Sequence, residues 1–413
     1  MKSSIRLLTL CAVFCSTAML SEFVYAQGVL FRGVGAVNES FGSASTAAPL
    51  DAAGAIYWNP ATISGLKHSE MQFGMGLVMA KSDLSSTLGL QSGSTEGSTG
   101  SIPSPSAAMV WKTPNKRLTL GFMFAGIGGA ATMYPHDNTG TNPIMSTLAT
   151  GARSSNVQII QVLPTASYQL TRRLSVGITP VLDIGKLEIH PSAIVGPHGA
   201  TTSTGSRYLW GAGVNAGLFY QADNCFNYGF TIKSPQWIED VMVYEKAAYS
   251  FDLDLPLILS TGVSYTGIRN TVLAMDVRYF DWGNTPGFRE VGHDANDQLL
   301  GLGWESIFSV AFGVERKINN RLKLRAGYCW NENPIPAENS MYNVASPLLM
   351  EHVVSCGASW MFAKDWDLAM SYSYAFPTEI TGPFYISHNA IPNSTVTNKS
   401  SASIVNASVI KRF

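Results

Sequence analysis

Every second residue is large and apolar through Met71, Phe73, Met75, Leu77 and Met79, with Glu70, Gln72, Gly74 and Gly76 around and between them. Leu118, Leu120, Phe122 and Phe124 repeat the pattern, and Leu368, Met370, Tyr372, Tyr374 and Phe376 do so against Asp367, Ala369, Ser371 and Ser373. A period of two places alternate side chains on opposite faces of a strand. Beyond the first 26 residues no uninterrupted apolar run reaches about 18 residues, so no membrane helix is indicated. Only 13% of the 413 residues are charged while 46% are apolar; about 25% charged is usual. A soluble globule would have trouble covering its surface with so few charges. A membrane barrel has no such difficulty, because one face of each strand meets lipid and the other the lumen.

The charge balance excludes two other classes. Lys and Arg total 27 against 28 Asp and Glu, a net charge of -1 with no basic cluster, so nucleic acid is not a partner. An apolar, nearly neutral chain is also not a disordered one.

The first residues indicate export. Lys2 and Arg6 precede the uncharged apolar stretch Leu7 to Leu20, and Val24-Tyr25-Ala26 matches a small-x-Ala cleavage pattern ahead of Gln27. Residues 1–26 are therefore read as a signal peptide, with an uncleaved anchor helix as the alternative. Lipidation is not expected, because Leu8-Thr9-Leu10 before Cys11 lacks the small residues of a lipoprotein site. Cys225, Cys329 and Cys356 then remain, an odd number at wide spacing that is neither a disulfide framework nor a zinc pattern. At most one bridge could form, and small apolar side chains on strands is the simpler reading.

Candidate strands cover about 69–80, 105–113, 117–127, 157–170, 173–189, 207–221, 226–247, 255–267, 270–282, 304–317, 320–331, 350–363, 366–376 and 401–413. Tight connections such as Thr113-Pro114-Asn115-Lys116 and Lys364-Asp365 alternate with long Gly/Ser/Pro/Asn/Thr-rich ones at 81–104, 128–156, 190–206, 283–303, 332–349 and 377–400. Short periplasmic turns and long external loops are the asymmetry of an outer-membrane barrel. Even strand numbers are the rule there, so 226–247 is read as one bent strand through Ser234-Pro235. The expectation is an all-β, 14-stranded antiparallel barrel over residues 67–413. Phe413 resembles the terminal aromatic read by barrel-assembly machinery. Residues 27–66, rich in small residues, carry a short helix signal that stops near Asn59-Pro60. They are expected to fold into the lumen as a hatch, the alternative being a periplasmic tail.

Asn59-Pro60-Ala61 after a Gly/Ala-rich run with Asp51, Ala52 and Gly54 resembles the hatch signature of FadL-type outer-membrane transporters. Tyr328 to Ala337 (YCWNENPIPA), Lys233-Ser234-Pro235 and Leu255-Pro256 are similar to further segments of that family, with Cys329 a departure. Such proteins carry long-chain fatty acids or aromatic hydrocarbons. The resemblance implies capture at external loops, a deep pocket approached by the N-terminal residues, and lateral diffusion through a kink in the third strand. On this sequence Gln27, Gly28, Val29, Leu30 and Phe31 would approach the pocket. Phe31, Val34, Val37 and Phe41 would line it or pack the hatch against the wall. Asn59, Pro60 and Ala61 would hold the hatch turn. Gly126, Gly128 and Gly129 would form the kink, since glycine inside a strand marks a bulge or bend; an ordinary approach to a loop is the alternative. Arg153, Arg207 and Lys233 would face a carboxylate head or be satisfied by acids across the lumen.

Enzymatic readings find little support. There is no Gly-x-Ser-x-Gly elbow or His-Glu-x-x-His site, and the seven histidines lack ligand spacing. No cofactor or metal is expected; a Ser/His pair meeting only in space is the residual alternative. The expected partners are hydrophobic small molecules, outer-membrane lipids and the assembly machinery, with the chain a monomer. A general porin or surface adhesin on the same barrel is the competing function.

Overall fold

The computed structural model describes residues 27–135, 141–146, 153–190, 208–243, 249–252, 254–293, 299–344, 347, 349–386 and 389–413. The expected signal peptide, and Arg207, lie outside them. Fourteen antiparallel strands follow one another around a closed barrel in chain order. The first four are β1 (Glu70–Leu88), β2 (Gln91–Lys112), β3 (Leu118–Tyr134) and β4 (Arg153–Gln169). β5 (Leu174–His190), β6 (Tyr208–Gln221), β7 (Phe226–Lys233), β8 (Ile258–Tyr265) and β9 (Thr271–Phe280) continue the wall. β10 (Ile307–Lys317), β11 (Leu322–Asn331), β12 (His352–Ala363), β13 (Trp366–Gly382) and β14 (Ser394–Arg412) complete it. β1 pairs with β14 from Glu70↔Arg412 to Leu88↔Ser394, which removes both sheet edges.

The alternation in sequence is the alternation in space. Phe73, Met75, Leu77, Phe122 and Met370 point outward, while Gln72, Thr119, Ser371 and Ser373 are buried on the inner side. Among the described residues no helix is long and apolar enough to cross a membrane. The turns use residues that tolerate a left-handed backbone, with Asn270 at φ 59 and Asp365 at φ 62. Cys225 occupies such a position too, at φ 67, so it sits in a turn and not on a strand as expected. Among the described residues Cys225, Cys329 and Cys356 are free thiols, with Cys329 buried and Cys225 and Cys356 exposed.

Three expectations about connections need correction. Residues 81–104 are not an external loop: β1 and β2 stay paired to Leu88↔Gln91, and only Gly89 and Leu90 turn the chain. β3 likewise runs on to Tyr134. The joined strand 226–247 breaks after Lys233, because Pro235 has no N–H to donate. Past the break, Trp237–Ile238 returns to β6, and Val241–Val243 pairs with Tyr249–Phe251 as a separate hairpin.

Inside the barrel lie α1 (Gly35–Ser40) and α2 (Ala52–Trp58), every residue of both buried. Asp51 caps α2 by accepting from the Gly54 N–H at 3.2 Å, and a 3-10 turn over Pro60–Gly65 follows. The segment touches the wall through its backbone wherever the wall offers a glycine. A Cβ on Gly229 would collide with the Thr46 carbonyl, and one on Gly177 with Pro60 and Ala61. Bare backbone at these points is what admits the segment so close.

Candidate functional site

The wall is not continuously paired. β2 and β3 are joined from Lys112↔Thr119 to Ser106↔Ala125, and among the described residues no further pair follows. Beyond that point β2 remains zipped to β1 and β3 to β4, up to Leu88↔Gln91 and Tyr134↔Arg153. The two strands therefore diverge and leave a gap. The divergence starts at a bulge: the β3–β4 register passes from Gly126↔Ile160 to Gly128↔Ile159, leaving Ile127 extra. An extra residue bends the bulged strand and raises its twist.

Part of the exposed edge of β3 is taken by the lumenal segment. The Phe31 N–H donates to the Ile127 carbonyl at 2.8 Å, the Gly129 N–H donates to the Val29 carbonyl at 3.1 Å, and Leu30 bridges Gly128. A Cβ on Gly128 would stand 2.8 Å from the Val29 carbonyl oxygen, so only glycine allows this approach. Phe31 packs with Val78, Ile102, Ile404 and Ala131 at the gap. Ser104 Oγ crosses from β2 to donate to the Gly126 carbonyl at 3.0 Å. A cavity of about 20 Å³ lies behind, lined among others by Val78, Ile102, Gly129 and Thr132.

Gln27 and Gly28 reach the opposite side of the lumen. Gln27 Nε2 donates to Ser309 Oγ at 2.8 Å. Gly28, at φ +73, faces Trp282 and Trp304, which with Phe288 form a cluster with ring centroids 4.5 to 4.9 Å apart. One continuous apolar core joins these rings to Val29, Leu30, Val34, Ile127, Ile159, Ile335 and Leu349. A second apolar cluster gathers residues from the long connections and the strand ends beside them, among them Tyr134, Ile144, Met145, Met341 and Phe384.

The remaining sequence candidates anchor the segment. Val37 packs on Ala369 and Ile410, and Phe41 on Ala274, Ala311 and Cys329, both against the wall away from the gap. Asn59 Nδ2 donates to the Thr46 carbonyl at 2.8 Å and to Leu218 on β6 at 2.9 Å, while its Oδ1 accepts from the Ala61 N–H at 3.0 Å. Ser167 Oγ donates to the Ala61 carbonyl at 3.0 Å. Asn59-Pro60-Ala61 thus fixes a turn to two strands.

Charge in the lumen is compensated locally. Arg32 pairs with Glu39 at 2.6 Å within the segment. Arg278 pairs with Asp276 at 2.9 Å, donates to the Ser43 carbonyl and lies 3.4 Å over the Trp58 ring. Thr46 donates to the same Asp276 carboxylate from both N–H and hydroxyl, at 2.9 and 2.8 Å. The Lys233 ammonium sits 3.8 Å over the Tyr57 ring and 4.6 Å over Trp58, a cation–π arrangement. Of Arg153 only the backbone is described, paired with Tyr134.

The structure thus brings together Val29, Leu30 and Phe31 with Gly126, Gly128 and Gly129, and leaves Val37, Phe41 and the Asn59 turn elsewhere. Sequence reasoning missed Trp282, Phe288 and Trp304. Their signal was three bulky aromatics within a stretch otherwise rich in Gly, Asn and Asp.

Residues 17–413 match the family described as outer membrane protein transport protein (OMPP1/FadL/TodX). A long-chain fatty acid transport protein of Salmonella typhi is 24% identical over 208 residues, 42% of this chain and 46% of that protein. The match thus spans about half the length of that relative. Among solved structures, the Pseudomonas putida toluene transporter TodX aligns with TM-score 0.69 at 18% identity, covering 92% of this chain and 99% of that one. A Pseudomonas aeruginosa FadL homologue aligns with TM-score 0.72 at 13% identity, covering 94% and 100%. At such identities the structural likeness is one of fold.

Proposed function

From the premise that this chain belongs to the outer-membrane transport family OMPP1/FadL/TodX, we propose that it admits hydrophobic small molecules across the outer membrane and releases them sideways into the bilayer. The observation that carries the reading is the β2–β3 gap with residues 29–31 lodged on its β3 edge. A water-filled pore would offer apolar solutes no attraction, whereas contact with apolar side chains removes their surface from water. The cluster around Tyr134, Met341 and Phe384 is the first capture surface. The core around Trp282, Phe288 and Trp304, reached by Gln27 and Gly28, is the deep site. The gap is the exit.

Export with cleavage before Gln27 completes the proposal, since it would place the start of the mature chain against the aromatic cluster. The protein acts as a monomer and needs no cofactor.

The relatives' names point to two cargo classes, long-chain fatty acids and toluene. Calorimetric titration of the purified protein with oleate and with toluene decides between them. Saturable oleate binding makes this a fatty acid importer with a basic lumen residue as head-group partner. Toluene binding alone assigns the hydrocarbon branch. Binding of neither, together with ion conductance in planar bilayers, replaces the proposal with a porin.

A further inference from the structure

The glycine bulge explains why β3 turns away, but not why β2 fails to follow it. The β2 sequence across the gap is Ser101-Ile102-Pro103-Ser104-Pro105-Ser106, and the last β2–β3 pair is Ser106↔Ala125. The very next residue on β2 is a proline. Its Cδ atom, bonded to the backbone nitrogen where an amide hydrogen would otherwise stand, lies 3.5 Å from the position a Cβ on Gly126 would take. The Pro105 nitrogen therefore faces β3. Backbone N–H direction alternates along a strand, and the β1–β2 register runs unshifted through Met75↔Pro105 and Leu77↔Pro103. Pro103 thus turns its nitrogen to the same side. Neither proline is taken from the ladder with β1, which is why both are tolerated inside a paired strand.

We infer that Pro103 and Pro105 are positioning residues of the exit: by deleting two successive donors from the β2 edge they stop it zipping to β3 and leave the β3 edge for Val29 and Phe31. This rests on the lateral-exit reading, and the two can fail separately. In addition to lacking donors, the pyrrolidine rings take up the space in which a β3 carbonyl would approach. Ser104, between them, bridges the gap through its side chain alone, donating to the Gly126 carbonyl at 3.0 Å. The device suits a passage that must stay separable inside an otherwise closed barrel. Proline on strand edges is a general means of preventing pairing.

The test is the full-length double variant P103T/P105T, with P103A/P105A as a second version free of β-branched side chains. Hydrogen exchange read by NMR in micelles follows the new amides at 103 and 105 and the amide of Phe31. The expected result is protection of both new amides, faster exchange at Phe31 as its place on Ile127 is contested, and a several-fold loss of oleate and toluene uptake by cells at equal outer-membrane level. Freely exchanging amides at 103 and 105 with Phe31 still protected, in both variants, would overturn the assignment. Protected amides with undiminished uptake would uphold the edge role and instead overturn the exit reading.

Discussion

Asp51 shows how one buried carboxyl can set the behaviour of the lumenal segment. It caps α2 through the Gly54 N–H, yet burial dominates and pushes its pKa up from 3.8 to about 6, outweighing Gln72, Arg325 and Gly54. A carboxyl whose pKa is raised on docking binds its proton more tightly in the docked state. Docking is therefore strongest below the ordinary carboxylate pKa and weakens as pH rises towards about 6, above which it levels off. Amide protection of residues 52–58 should fall across that window in the wild type. D51N keeps the capping oxygen and has nothing to titrate, so its protection should be flat; an unchanged slope in D51N would assign the effect to another group. Nearby Glu70, whose Oε1 accepts from the Ala52 N–H at 2.5 Å, is the first to examine in that case.

At the scale of the strand, Gly128 is where bulge and lumenal segment meet. A valine there would force its Cβ against the Val29 carbonyl oxygen. G128V should expel residues 29–31 from the β3 edge, losing two hydrogen bonds of roughly 1 kcal/mol net each, and change uptake severalfold. Uptake at the wild-type rate would put the exit elsewhere. The glycines were legible because glycine inside an apolar strand is conspicuous. Pro103 was not, because it falls among Ser, Gly and Thr, a composition that reads as loop, and Pro105 opened the candidate strand 105–113, where a proline is unremarkable. Residues 81–104 are nonetheless strands, held by the ladders to β1 and β14. Strict alternation of apolar side chains reports a lipid face rather than strand structure itself. Where the wall rises past the membrane, neither face has to be apolar and the signal fades. The aromatic trio around Gly28 was hidden for a different reason: its three rings lie in the β9–β10 connection, remote in sequence from the residue they enclose, and only the fold brings Gly28 to them.

For the whole molecule, the question is whether the barrel stands without what fills it. Its ladders run strand to strand around the full circumference and do not pass through the lumenal segment. Deleting residues 27–45 should leave a barrel that still migrates as a folded, heat-modifiable species while uptake is abolished. It should also conduct ions in planar bilayers, because α1 and the Arg32–Glu39 pair leave the lumen with the deletion. Undiminished uptake would count heavily against a transport role for the segment.

The contacts of that segment also impose an order in time. Its partners include Glu70 on β1, Leu218 on β6, Asp276 on β9, Ser373 on β13 and Ser408 on β14, the last accepting from the Ala36 N–H across 372 residues of chain. Ser408 is in place only once the final strand has been laid against the first. Contacts of such separation form late, because loop closure must precede them. The segment that precedes the first strand is therefore the last to settle, and until then the assembling barrel is hollow.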